Sequence, residues 1–243
     1  MAQHISRREL KKDEVRETIA HGAEAVLSHK QGATYVLALV FLVAAAILGW
    51  RTYAQRETTR AAGALSEAMK VFQAPVGTQP GMPPPLPGEP SFKDDQAKFA
   101  AAAQKFEGVA KQYSHTGPGQ LASYYSGLSL ERLGKNNEAK QQLQTAAVGS
   151  DADFASLARF ELAQVDDRLG QSDAAAKIYQ DLMSKPGVLV AKPVVMLALA
   201  EHYRDKNPTE AAKLFNQIKS EYPNETGIVQ QADQELALLP GKS

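Results

Sequence analysis

Six residues recur at a spacing of 36 and could together line a binding surface. They are the basic Arg132, Arg168 and Arg204 and the apolar Tyr124, Phe160 and Met196. Guanidinium groups donate paired hydrogen bonds to carboxylates, and aromatic or methionine side chains pack against irregular apolar groups. The spacing therefore predicts a surface that binds proteins or peptide segments. An alternative fits the same spacing, in which the apolar residues pack between helices and the arginines stabilise helix C-termini against the macrodipole.

Residues that could support catalysis or metal binding are sparse. The chain has no cysteine, which excludes disulfides, thiolate metal sites and cysteine nucleophiles. It contains no phosphate-binding loop, dinucleotide-binding, nucleophile-elbow or zinc-protease motif. His21 and His29 are eight residues apart, which is not a metal-ligand spacing. The acidic pair Asp166-Asp167 has no partner carboxylate nearby in the sequence, so we expect no catalytic residue, no cofactor and no metal.

The composition argues against nucleic acid as a partner and indicates a helical protein. Lys plus Arg and Asp plus Glu number 27 each, so no net charge attracts the chain to a polyanion. After Phe92 the sequence is rich in Ala, Gln, Leu, Lys and Glu and has few β-branched residues. Such a composition favours helices.

An internal repeat predicts the elements that would position the six residues. Ala139, Ala175 and Ala211 are 36 residues apart, and a large apolar residue follows each of them four positions later. Small residues of this kind let two antiparallel helices approach closely. The pairs Leu133-Gly134 and Leu169-Gly170, also 36 apart, are typical of helix ends. We therefore expect helices over residues 94–113, 119–133, 136–148, 153–169, 172–184, 191–205, 208–221 and 226–239.

The segment Ala211-x3-Phe215-x2-Ile218-x4-Pro223 resembles the second helix of a tetratricopeptide repeat. The first helices depart from that family, since Ser126-Gly127 stands where the family has a large residue before glycine. The period also differs, and we place the excess residues in the loops between hairpins. The resemblance covers about residues 95–223. It implies an all-α solenoid of about four helical hairpins, with residues 54–72 as its first helix and residues 226–239 as a capping helix.

An uncharged run near the N-terminus predicts a transmembrane helix. Residues 31–50 carry no charge, and at about 1.5 Å per residue they would span roughly 30 Å, the thickness of a bilayer core. Lys30 and Arg51 flank the run. We divide the chain into a polar tail (1–30), a transmembrane helix (31–53), a juxtamembrane helix (54–73), a proline-rich linker (74–91) and the repeat domain (92–239). The linker holds seven of the thirteen prolines and predicts a spacer.

A single N-terminal anchor followed by a small tetratricopeptide domain resembles the bacterial ancillary subunit of the Sec translocon. That resemblance implies an inner-membrane protein with a cytoplasmic N-terminus and a periplasmic repeat domain. Its partners would be the translocon, periplasmic chaperones or emerging chains. The charges that flank the span leave the orientation open. Two alternatives therefore remain: an envelope-assembly or division adaptor that does not contact the translocon, and a receptor that faces the cytosol.

Overall fold

The computed structural model describes residues 30–77, 88–149 and 151–240, and in these ranges the chain is helical without any strand. The helices are α1 (Lys30–Phe72), α2 (Asp95–Gln112), α3 (Gly117–Arg132), α4 (Asn136–Ala147), α5 (Ala152–Arg168), α6 (Ser172–Ser184), α7 (Lys192–Tyr203), α8 (Pro208–Glu221) and α9 (Thr226–Ala237). The predicted tail up to residue 29, with His21 and His29, and residues 78–87 of the linker lie outside the described ranges.

Each helix predicted from residue 94 onward is present, with both ends within two residues of the prediction. The helix ends follow local signals. The Asp94 carboxylate accepts the Ala97 N–H at 2.7 Å and so caps the start of α2. Gly134 and Gly170 have φ of 73° after α3 and α5, a conformation that glycine adopts without a Cβ clash. The prediction of an all-α repeat solenoid is confirmed.

The chain divides into two compact units, up to Arg56 and from Glu57. In the first unit, α1 exposes large apolar side chains on all sides, including Phe41 (74 %), Leu42 (69 %) and Trp50 (72 %). Among the described residues, α1 is the one helix that is long and apolar enough to cross a membrane. The predicted transmembrane and juxtamembrane segments are therefore parts of one continuous helix.

The second unit begins with a hairpin formed by residues 57–72 and α2. The ring of Phe72 packs edge-on against Phe99 and Phe106, with centroids 5.7 and 5.9 Å apart. Ala68 and Phe106 are fully buried in the same cluster. Residues 57–72 thus occupy the place predicted for the first helix of the first hairpin.

The next three hairpins are α3–α4, α5–α6 and α7–α8. The repeated Ala139, Ala175 and Ala211 are each fully buried. The large apolar residues four positions later fill the hairpin interiors, and they are Leu143, Tyr179 and Phe215. A Cβ on Gly127 would lie 2.7 Å from Leu143 Cγ, so only glycine allows α3 and α4 to approach this closely. Helix α9 then packs on α8 through the fully buried Ala232.

Helix α7, which is the first helix of the fourth hairpin, is one residue out of the 36-residue register. Its fully buried Ala200 corresponds to the fully buried Ala163 of α5, and these two residues are 37 apart. The shift follows from the loop, because Asp205-Lys206 replaces the Leu-Gly pair of the earlier hairpins. The backbone after α7 therefore turns differently, and the Asn207 N–H donates to the Tyr203 carbonyl at 2.7 Å.

Candidate partner-binding groove

A groove of about 480 Å³ lies between α5 and α7 and is bordered by α9. Its apolar surface includes Phe160, Leu197 and Ala198. Polar side chains from all three helices border that surface, and they include Gln164, Arg168, Glu201, Asp205 and Gln231. We call this feature the partner-binding groove. It results directly from the hairpin stack, because consecutive first helices present one face to the same side.

The three arginines of the predicted column are engaged within the chain. The Arg168 guanidinium pairs with the Glu131 carboxylate of α3 at 3.0 Å. Arg204 pairs with Glu235 of α9 at 3.2 Å, and Arg132 lies over the Phe99 ring at 5.9 Å. Of the three, Arg168 lines the groove. Sequence reasoning missed these contacts because each partner comes from a different helix.

The three apolar residues of the predicted stripe do not share one surface. Met196 is fully buried in the core, and as placed it offers no surface to a partner. This burial corrects the expectation that Met196 lines the groove. Because α7 is shifted by one residue, Leu197 takes the position opposite Phe160. Phe160 lines the groove, whereas Tyr124, 8 % exposed, borders a separate apolar cavity of about 260 Å³. Burial raises the pKa of Tyr124.

A hydrogen-bonded cluster joins three helices beside the groove. The His202 Nδ1 lies 2.5 Å from an Asp167 carboxylate oxygen, and the His202 Nε2 lies 3.2 Å from the Ser172 hydroxyl. The Tyr179 hydroxyl donates to the other Asp167 oxygen at 3.4 Å, and the Lys206 ammonium donates to the Ser172 hydroxyl. Neither the sequence periodicity nor any motif indicated this cluster, because its members come from α5, α6, α7 and the following loop.

The order carboxylate, imidazole and hydroxyl is also that of a serine hydrolase. Here the His202 side chain is only 3 % exposed, and the Ser172 hydroxyl is shared between the imidazole and the Lys206 ammonium. The cluster joins the third and fourth hairpins, α5–α6 and α7–α8.

Two glutamates near the groove have pKa values raised above the usual range. Burial, followed by repulsion from Glu131, raises the pKa of Glu161 above its usual range. Burial and the neighbouring Glu235 likewise raise the pKa of Glu201, which accepts a hydrogen bond from the Gln231 amide at 3.0 Å. Neither carboxylate has a basic partner close enough for an ion pair in the described part of the chain.

Within residues 30–77, 88–149 and 151–240, no cluster of three or more acidic or histidine side chains could hold a metal ion.

The fold and groove define a class, the helical-repeat solenoids that act as protein–protein interaction modules. The profile of the family described as a tetratricopeptide repeat-like domain matches residues 29–185, and a second, described as a tetratricopeptide repeat, matches residues 195–225. The chain therefore belongs to the tetratricopeptide repeat-like domain family.

Solved structures share the fold. Two crystal structures of a candidate kinesin light chain from Podosopora anserina with nearly identical TPR-like repeats superpose with a TM-score of 0.56. They are 13 % identical to this chain, and the alignments cover 75 % of it and 85 or 86 % of those chains. At this identity the likeness concerns the fold alone. Among curated proteins, none matches the sequence.

Proposed function

We propose that this chain is a membrane-anchored adaptor that holds a segment of another protein in the partner-binding groove. The observation that carries the proposal is the composition of that groove. Phe160 and Leu197 form an apolar surface, and side-chain amides and carboxylates border it. An apolar surface of this size accommodates an apolar side chain of the guest, and the polar border can hydrogen-bond the guest's backbone.

The chemistry of the guest follows from which charges remain available. Arg168 and Arg204 are already paired with Glu131 and Glu235, so they are poor sites for an acidic guest. A carboxylate remains: Glu201 borders the groove and forms no ion pair with any described residue. The groove therefore favours a segment that combines an apolar side chain with N–H or ammonium donors.

The anchor is the first part of α1, and its length and composition suit a single crossing of a bilayer. We place the segment before the span in the bacterial cytoplasm and the repeat domain in the periplasm, because more basic side chains lie close before the span than close after it. Anchoring would raise the local concentration of the groove near membrane-bound partners. The resemblance in architecture to the Sec ancillary subunit makes the translocon, periplasmic chaperones and emerging chains the first partners to test.

Filling the groove tests the proposal. Ala198→Trp places a large ring on the groove surface, and Ala174→Trp makes the same change at an exposed position on α6. In photo-crosslinking in cells, Ala198→Trp should lose most captured protein while Ala174→Trp behaves as the parent. Equal yields from both variants, with both folded, would exclude the groove as the binding site.

The absence of native cysteine allows a direct test of orientation. Asn137→Cys, at an exposed position of α4, should react with a membrane-impermeant thiol reagent once the outer barrier is opened. Ser6→Cys in the tail should not react. The reverse pattern would support the alternative of a cytosol-facing receptor. A repeat domain that lies on the periplasmic side but forms no cross-links to the translocon would support the alternative of an envelope-assembly or division adaptor.

A further inference from the structure

The exposed apolar residues of the repeat domain are concentrated on one edge. From Glu57 onward, the described residues expose five large apolar side chains, and four of them lie in or next to two consecutive connections between hairpins. These four are Val148 (83 %), Phe154 (41 %), Val188 (85 %) and Leu189 (49 %). We call them the edge patch. Val148 lies in the connection between α4 and α5, Phe154 lies in the first turn of α5, and the other two lie in the connection between α6 and α7.

The connection between α6 and α7 is held in shape, so its apolar side chains are presented outward. Val190 is 3 % exposed and lies in the core. The Val188 N–H donates to an Asp153 carboxylate oxygen at 2.9 Å. A Cβ on Gly187 would lie 2.3 Å from the Ser156 hydroxyl oxygen, so glycine permits the close approach to α5. The exposure of Val188 and Leu189 is therefore imposed by fixed neighbours on both sides.

Two lysines flank the part of the edge patch that lies between α6 and α7. Lys185 and Lys192 stand at the two ends of the connection, and neither forms an ion pair with any described residue. Carboxylates also lie nearby: Asp181 is exposed one helical turn before Lys185, and two others accept backbone N–H groups. Asp151 accepts N–H groups at the start of α5, and Asp153 accepts the Val188 N–H. Exposed apolar side chains between two unpaired lysines suit a surface of anionic phosphates over hydrocarbon.

The same edge is where the chain enters the repeat domain. Residues 57–72 run antiparallel to α2, so Glu57 lies at the edge formed by the connections that follow second helices. Leu65 of this segment and Phe154 of the edge patch border the same cavity of about 260 Å³. A tether that arrives at this edge holds the edge patch near whatever surface the tether crosses.

We infer that the edge patch and its two lysines rest on the anionic lipid surface of the membrane that carries the anchor. The inference rests on the proposed membrane anchoring. Val188 and Leu189 enter the interfacial layer, and Lys185 and Lys192 contact lipid phosphates. This contact would keep that edge of the repeat domain at the bilayer surface.

The full chain can be tested with a single cysteine because it has none of its own. Val188→Cys carries an environment-sensitive fluorophore, and Asn137→Cys, exposed on α4 at the opposite edge, is the matched control. Both are reconstituted in nanodiscs of phosphatidylglycerol and phosphatidylethanolamine with a lipid-borne quencher. We expect the probe at 188 to be blue-shifted and several-fold more quenched than the probe at 137. Lys185→Glu with Lys192→Glu should abolish that difference without changing the circular dichroism spectrum.

The outcomes separate the inference from the anchoring on which it rests. If the chain does not remain with the nanodiscs during gel filtration, both ideas are wrong. If the chain remains with the nanodiscs and the two probes give equal signals, the anchoring is supported and the lipid contact of the edge patch is contradicted. Shielding of position 188 that requires an added membrane protein, and is absent in pure lipid, would also overturn the lipid contact and assign the edge patch to a protein.

Discussion

At the scale of single residues, His202 is the centre of the cluster that joins the third and fourth hairpins. Its imidazole contacts both Asp167 and Ser172 and is almost closed to solvent. His202→Ala leaves a partly buried carboxylate and a hydroxyl without this partner, and we expect it to lower the free energy of unfolding by about 1–3 kcal/mol. Chemical denaturation followed by circular dichroism measures the loss.

Ser172→Ala is the control for this prediction, because it removes one hydrogen bond and leaves the imidazole in place. It should cost about 0.5–1.5 kcal/mol. A larger effect for Ser172→Ala than for His202→Ala would mean that the imidazole is not the centre of the cluster. We also expect no labelling of Ser172 by a fluorophosphonate, since the Lys206 ammonium competes for its hydroxyl.

Glu161 gives a prediction about pH. Burial and Glu131 raise its pKa in the folded chain above the value in the unfolded chain. The folded state therefore binds the proton more tightly, and this contribution to stability is lost as the pH rises through the folded pKa. Glu161→Gln, which stays neutral, should be more stable than the parent at pH 7. The advantage should shrink as the pH falls toward the usual glutamate range.

Thermal unfolding at several pH values tests this behaviour. Glu138→Gln, on the exposed side of α4 and paired only with Lys135, is the matched control and should change the unfolding midpoint little at any pH. A Glu161→Gln variant less stable than the parent at pH 7 would show that the charged carboxylate stabilises the fold, most directly through Arg168, contrary to the direction of the pKa shift.

At the scale of elements, the helices could be predicted but the contacts between them could not. Caps and the Leu-Gly endings are local signals, so the helix bounds agree within two residues. The partners of Arg168 and Arg204 come from other helices, and no local pattern indicates them. The shift of α7 did leave a signal, because Asp205-Lys206 breaks the Leu-Gly series. That break could have shown that a strict 36-residue spacing misplaces Met196, but the prediction did not use it.

The segment after the anchor is an element of the first hairpin, which substitutions on its two faces can test. Ala68 is 1 % exposed against α2, whereas Ser66 is exposed. Ala68→Asp buries an unpaired carboxylate and should cost on the order of 3 kcal/mol or more. Ser66→Asp should change the unfolding midpoint by less than the equivalent of about 0.5 kcal/mol. Equal stability of the two variants would make residues 57–72 a stalk and not a repeat helix.

At the scale of the whole molecule, a repeat array is stabilised mainly by contacts between neighbouring hairpins. Helix α9 covers the last hairpin in this way. Ala232 is buried, the Lys219 ammonium pairs with Asp233 at 2.5 Å, and Arg204 pairs with Glu235 at 3.2 Å. The same helix borders the partner-binding groove through Gln231. Loss of α9 should therefore affect the last hairpin and the groove before it affects the first two hairpins.

Ala232→Asp tests this gradient, because a carboxylate at a fully buried position would detach α9. In amide hydrogen exchange, we expect protection to fall most in α7 and α8 and to remain close to that of the parent in α2 and α3, since local stability follows neighbouring contacts. Ala237→Asp, the same change at an exposed position of α9, should leave the pattern unchanged. A uniform loss of protection in Ala232→Asp would show instead that the array unfolds as one cooperative unit. A substitution in the groove would then lower the free energy of unfolding of the entire repeat domain, including the first hairpin next to the anchor.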